Sequence, residues 1–171
     1  MKLYKDVLRE TTLHLINREL TNFMESGENW TCSNFKWKSN VKVNIAGTTM
    51  TARVSEGIVQ LILDDLKDIL PPISHTDMMY FVWTPNSGIS THNDAMYKFG
   101  ATIYLNDSWD INDGGIFMYH VKDSEWSAHV PTFNTMMIND DKNLHMVTPV
   151  SPFARNNRYT LQIFGDKESG Y

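Results

Sequence analysis

The sequence has a single cysteine, Cys32, among 171 residues, so no internal disulfide can staple it and a reducing compartment is the expectation. It has no run of lysine or arginine, and its formal net charge is -5. A protein whose affinity comes from neutralising phosphates needs the opposite balance, which makes duplex nucleic acid a poor partner. No apolar stretch approaches the roughly 20 residues of a spanning helix, and the start, MKLYKDVLRE, is charged from its second residue rather than built like a secretory leader. The expectation is a cytoplasmic protein with no membrane partner. The N-x-[ST] matches at Asn29 and Asn106 then carry no consequence. Repeats, low-complexity tracts and linkers are also missing. One domain spanning 1–171 is therefore expected, and the 42% apolar fraction suits a proper hydrophobic core at this length.

What is present changes character along the chain. Leu13, Ile16, Leu20, Phe23 and Met24 recur three or four apart, the period of an amphipathic helix, which should end near Gly27. Between 35 and 45, Phe35, Trp37, Val41, Val43 and Ile45 alternate with polar residues and predict a hairpin. A second helical period runs from Val54 to Leu70, where Pro71-Pro72 stops it. From Met78 onward the pattern is short β-type runs between turn residues: MYFVW, GATIYL, GGIFMY, AHVPTF, TMMI, HMVTPV and RYTLQIF. Such spacing favours an antiparallel sandwich or barrel, and helices first with strands after make the class α+β, predominantly β, with the N-terminal helices covering one sheet. The helical support region is expected over about 1–76 and the β core over about 77–166.

A β sandwich by itself says nothing of function, which has to come from a site. His92-Asn93-Asp94 places two ligand-type side chains at i and i+2, on the same side of a strand, and His145 supplies a third. Two imidazoles and a carboxylate on one face leave three of six octahedral positions open, the arrangement of a non-haem Fe(II) oxygenase. A His-x-Asp pair alone is weak, because composition predicts about 0.5 such pairs by chance, and His75-Thr76-Asp77 is a second one. The residues downstream separate the two. Beyond His145 comes Arg158 on the run RYTLQIF, where an arginine can hold a dicarboxylate through a bidentate fork. His75 would have to use His129, and it directly succeeds a helix-stopping proline pair, where a solvated polar turn needs no special explanation. The bland reading of Tyr104, Phe117 and Phe164 is core aromatics, and of His14, His120 and His129 ordinary polar positions.

The run WTPNSGISTHND, then GATIYLNDSWDINDGGIFMY, then HMVTPV with RYTLQIF after it, resembles the Fe(II)/2-oxoglutarate-dependent oxygenase superfamily and within it the prolyl 4-hydroxylase-like group. The resemblance covers residues 80 to 166 in the family's order. It implies a double-stranded β-helix, or jelly roll, and a dioxygenase that hydroxylates a C–H bond with Fe(2+), 2-oxoglutarate and O2, and it admits ascorbate. On this resemblance His92, Asp94 and His145 take the metal, and Arg158 pairs with the distal carboxylate of 2-oxoglutarate. Tyr104 and Thr160 add hydroxyl contacts to that carboxylate. Trp83 stands where many relatives have a tyrosine, and Arg155 is a rival for the anchor. The implied substrate is peptidyl and prolyl-type. A small metabolite, a nucleobase, or a cupin-like module that binds metal or ligand without redox turnover are the alternatives. No arginine comes after Arg158, which disfavours the base-repair branch. Loops at Ser39 to Met50, Ser74 to Asp77 and Asp107 to Asp113 are expected to roof the mouth.

Overall fold

The computed structural model describes residues 1–33, 47–123 and 125–167, and within them eleven strands form two antiparallel sheets. The strands are β1 (Lys2–Lys5), β2 (Thr31–Ser33), β3 (Thr49–Arg53), β4 (Thr76–Trp83), β5 (Ile89–His92), β6 (Tyr97–Tyr104), β7 (Phe117–His120), β8 (Trp126–His129), β9 (Thr135–Asn139), β10 (His145–Val147) and β11 (Arg158–Lys167). The larger sheet has the order β1-β9-β6-β11-β4-β3-β2 and the smaller β5-β10-β7-β8. This is a jelly roll, the double-stranded β-helix that the sequence resemblance implies.

Two helices lie against the larger sheet, α1 (Glu10–Ser26) and α2 (Glu56–Leu66). The first ends one residue before Gly27, as its period predicts. The second ends at Leu66, and Ile69 and Leu70 then donate back to the Leu66 carbonyl as a turn rather than a continuing helix. The approaching Pro71-Pro72 pair accounts for this, since a residue before proline is steered out of the helical region.

Side-chain alternation divides the larger sheet into two faces. Leu161 and Ile163 of β11, Phe99, Ala101 and Ile103 of β6 and Tyr80 of β4 point toward the helices, where they join Ile16, Leu20, Ile62 and Leu66 in the main core. The intervening residues face the smaller sheet, where the buried apolar cluster is small: Tyr104, Phe117, Met137 and Val147. Burying apolar surface is the main drive for folding. Here the outer face supplies most of it and the inner face is left free to carry polar groups.

Two expectations need correction. The first 76 residues are not only helical: β1 pairs with β9 at one edge of the larger sheet, and β2 and β3 extend it beyond β4. The segment read as a loop to Met50 already contains the start of β3, and that read as a loop from Ser74 to Asp77 contains the start of β4. These strands escaped because KLYK is too short to show a period and TMTAR buries its threonines rather than an apolar alternate. The hairpin expected over 35–45 lies outside the described residues.

Candidate metal centre and anion pocket

β5 and β10 are neighbours in the smaller sheet, and their register sets His145 opposite His92. The two rings therefore lie together by strand pairing alone, with centroids 4.3 Å apart. Asp94 comes just after β5, in a turn closed by the Tyr97 N–H donating to the Asp94 carbonyl (2.8 Å). Its carboxylate reaches over β6 at Gly100, where a Cβ would come 2.6 Å from Asp94 Oδ2. The glycine is thus a matter of space. Asp94 Oδ1 is 3.8 Å from His92 Nε2, and Asp94 Oδ2 is 3.4 Å from His145 Nε2. The ligand atoms of all three lie within 4.8 Å of one another, and no other such group occurs among the described residues.

Both imidazoles are oriented for coordination. His92 Nδ1 lies 2.7 Å from the Ser90 carbonyl and His145 Nδ1 lies 3.0 Å from the Asn143 carbonyl. A carbonyl only accepts, so these contacts call for the proton on Nδ1 and leave the Nε2 lone pair to the cavity; at His145 the Asn139 amide nitrogen also lies 3.3 Å from Nδ1, but the 3.0 Å carbonyl is the nearer partner. Asn139 supports the second contact: its Nδ2 donates to the Asn143 carbonyl (3.0 Å) and its Oδ1 accepts from the Asn143 N–H (2.9 Å). The turn that carries the Asn143 carbonyl is thereby held under His145.

Arg158 opens β11 on the same inner face. It is 0% exposed, and its Nε, Nη1 and Nη2 have no hydrogen-bond partner. Its Cζ sits 5.5 Å from the Trp83 ring centroid and 5.3 Å from that of Tyr104, within cation–π range of both. Burial pushes the guanidinium pKa down to about 10, with Tyr104 partly opposing the shift, and burial pushes the Tyr104 phenol up. The Tyr104 hydroxyl faces the guanidinium without a hydrogen bond of good geometry and is itself buried and unpartnered. Thr160 Oγ1 accepts from Trp83 Nε1 (3.2 Å) and from Gln162 Nε2 (3.3 Å), which leaves its own proton to donate elsewhere. An unpaired buried cation is costly, and a buried arginine fork with every donor unused is the complement of a carboxylate.

One cavity of about 240 Å³ joins the two features. His92, Asp94 and His145 line one part of it and Arg158 another, with Trp83, Phe117, Tyr97 and Phe164 among its walls. Tyr97 and Phe164 stack with centroids 4.8 Å apart. Phe117 and Phe164 are thus cavity walls rather than inert filler. The donor set of the first part suits a divalent transition metal, and the orphaned guanidinium of the second suits a diacid. The residues present fit Fe(II) and 2-oxoglutarate together.

The rival residues lie elsewhere. Arg155 is exposed on the turn before β11. His75 is exposed, with its Nε2 3.8 Å from Asp77 Oδ1, and Arg53 shares that aspartate at 3.6 Å. Asp107 and Ser108 line a separate hollow against α1 rather than the mouth of the metal cavity, which corrects the expectation for the 107–113 loop. Sequence reasoning took His129, whose ring is 5.2 Å from that of Tyr104, as an ordinary polar position and Asn106 as a sequon without consequence, and it passed over Gly100 and Asn139. His129 and Gly100 meet their partners across the space between the two sheets and Asn106 meets its own from a loop, none of which linear spacing reveals. Asn139 lies four residues from Asn143 and was the one within reach of local reasoning.

No protein-family model matches the sequence, and no curated protein matches it either. Solved structures do. A prolyl-4-hydroxylase from Pseudomonas putida superposes with a TM-score of 0.69 at 15% identity, over 98% of this chain and 92% of that one. A prolyl hydroxylase from Trichoplax adhaerens, solved with a peptide fragment of the hypoxia-inducible-factor oxygen degradation domain, gives 0.70 at 18% identity, over 97% and 83%. The chain has the prolyl hydroxylase fold. An oxidoreductase of the 2OG-Fe(II) oxygenase family from Burkholderia pseudomallei gives 0.61 at 18% identity, over 86% and 78%. At these identities the likeness speaks for the fold, and the chemistry rests on this chain's own cavity.

Proposed function

We propose that the protein is an Fe(II)- and 2-oxoglutarate-dependent dioxygenase that hydroxylates a C–H bond of a peptidyl, prolyl-type substrate. The observation that carries the reading is the fully buried, unpartnered Arg158 guanidinium in the same cavity as two histidines and an aspartate. A metal-binding module without a diacid co-substrate has no use for such a charge, and would be more stable without it. Fe(II) held by these residues would supply the oxidative chemistry, in which 2-oxoglutarate and O2 become succinate and CO2 and a C–H of the substrate becomes C–OH.

The chain's residues bind and orient. His92 and His145 would hold the metal through Nε2 and Asp94 through a carboxylate oxygen, a donor set of three that suits a metal with positions left for co-substrate and O2. Arg158 pairs with the distal carboxylate of 2-oxoglutarate, with Tyr104 Oη and the Thr160 hydroxyl as further donors. The aromatic walls exclude water from that ion pair and so strengthen it. An aspartate at position 94 fills the site a halide would need, which favours hydroxylation over halogenation. The peptidyl assignment draws on the Trichoplax prolyl hydroxylase, solved with a peptide. No helix among the described residues is long and apolar enough to cross a membrane; we place the protein in the cytoplasm on its single cysteine.

The test is anaerobic titration of 2-oxoglutarate into the Fe(II)-loaded protein, and then succinate release with prolyl peptides, free amino acids and nucleosides, with and without ascorbate. Saturable binding and peptide-stimulated succinate are expected. Absence of 2-oxoglutarate binding would refute the oxygenase reading in favour of a cupin-like module, and stimulation by nucleosides or free amino acids alone would refute the peptidyl substrate.

A further inference from the structure

Arg158 is the first residue of β11, and the segment leading into it, 151–157, is turns and bends that carry the exposed Phe153. On one side Arg158 pairs with Trp83 of β4. On the other side the ladder with β6 begins only at Thr160 opposite Tyr104, so main-chain pairing stops short of the arginine. Asn106, two residues past the end of β6, occupies that gap. Its Nδ2 donates to the Asn157 carbonyl (2.9 Å), and its Oδ1 accepts from the Tyr159 N–H (2.7 Å).

A side-chain amide carries the same donor and acceptor as a peptide group. Asn106 therefore continues the β6–β11 ladder across Arg158 after the main chain of β6 has turned away, gripping the residues immediately before and after it. The loop that leaves Asn106 also returns beneath the arginine. Trp109 Nε1 donates to the Gly114 carbonyl (2.8 Å), and Gly115 (φ 61°) lies so close to the arginine that a Cβ there would sit 2.7 Å from Arg158 Cδ.

We infer that Asn106 is a positioning residue, which fixes the backbone on both sides of Arg158 and thereby sets affinity for the diacid; the inference rests on the oxygenase reading above. Asn106→Ala should raise both Kd and KM for 2-oxoglutarate about tenfold, the scale of two lost hydrogen bonds. Fe(II) affinity should stay unchanged, and kcat at saturating 2-oxoglutarate should fall much less than KM rises. Asn106→Asp keeps the acceptor for Tyr159 and loses the donor to Asn157, so it should fall between wild type and alanine, and it is the variant to read if alanine does not fold. Both quantities are measured on the full chain, Kd by anaerobic calorimetry and KM by succinate release.

An unchanged Kd in variants that only melt earlier would overturn the inference and leave the oxygenase reading standing. A parallel loss of Fe(II) binding would overturn it too, by showing general damage to the site, and failure of both variants to fold would make the clamp a determinant of the fold. Wild-type protein that binds no 2-oxoglutarate would overturn the reading and the inference together.

Discussion

Arg158→Ala tests the proposed chemistry at its centre. In the wild type the guanidinium is wholly buried with three unpaired nitrogens, and burial has lowered its pKa to about 10. A carboxylate arriving there meets a desolvated cation already held between two aromatic rings, so little ordering is left to do. Removing one partner of a buried charge pair costs about 2 to 5 kcal/mol, which is roughly a 30- to 5,000-fold rise in Kd. The assay is the 2-oxoglutarate dependence of succinate release, beside calorimetric titration of the Fe(II)-loaded protein, with Arg155→Ala as the control. The exposed Arg155 should change neither quantity by more than about twofold, since exposed charges contribute little. Stability without 2-oxoglutarate separates the arginine from a structural residue. Truncation leaves a cavity, but it also removes an unpaired buried charge, and the two effects oppose. The apo variant should therefore melt near the wild type, while the rise in melting temperature on adding 2-oxoglutarate should vanish. An unchanged 2-oxoglutarate requirement, or a larger loss in Arg155→Ala, would refute the assignment.

The same geometry makes other outcomes measurable. His92→Ala should abolish Fe(II) binding with a native circular dichroism spectrum, because the half-buried ring lies outside both apolar cores; loss of the fold would point to a structural role. Gly100→Ala should weaken Fe(II) binding by about 10- to 100-fold, the range for disturbing what orients a ligand, since the new Cβ displaces the Asp94 carboxylate. Equal metal affinity in that variant would show that Asp94 is not a ligand. His129 has its pKa lowered from the usual histidine value by burial first and by Arg158 second. The unfolded chain then binds the proton more readily, so this contribution to stability is present above about pH 6.5 and is lost as pH falls through the lower folded value. Melting temperature against pH should decline less in His129→Gln over that window, and an identical slope would exclude the effect.

The parts of the site that chemistry dictates were legible in the sequence, and those that pairing dictates were not. Arg158 and Thr160 are two apart on β11, so local period alone aligns them, and the His-x-Asp spacing brings Asp94 back to His92 from the turn just after β5. That His145 lies opposite His92 is a matter of strand register, which the sequence resemblance implied and spacing could not. Gly100 reads as an ordinary strand residue until Asp94 is seen above it. Asn106 reads as a stray sequon until both ends of its amide are found in use, and Nδ2 is committed to Asn157. The loop after it was expected to roof the mouth as one of the long segments between strands. It is instead folded on itself, with Asp110 Oδ1 accepting from the Asn112 N–H and the Trp109 indole tied to Gly114, next to the Gly115 that packs on the arginine.

The alternation along β11 has a consequence for how this protein tolerates change. Arg158, Gln162 and Phe164 line the cavity and Thr160 shares their face, bonded to Trp83, while Leu161 and Ile163 are locked into the apolar layer beneath the helices. Substitutions between 158 and 164 should therefore sort by parity, even numbers altering what the protein binds and Leu161 and Ile163 altering whether it folds. A lineage can rework the first set while the second holds the scaffold, so new specificities are open without a new architecture. Insertion or deletion of one residue within the strand has no such freedom, because it would turn the guanidinium toward the helices or the leucine toward the cavity.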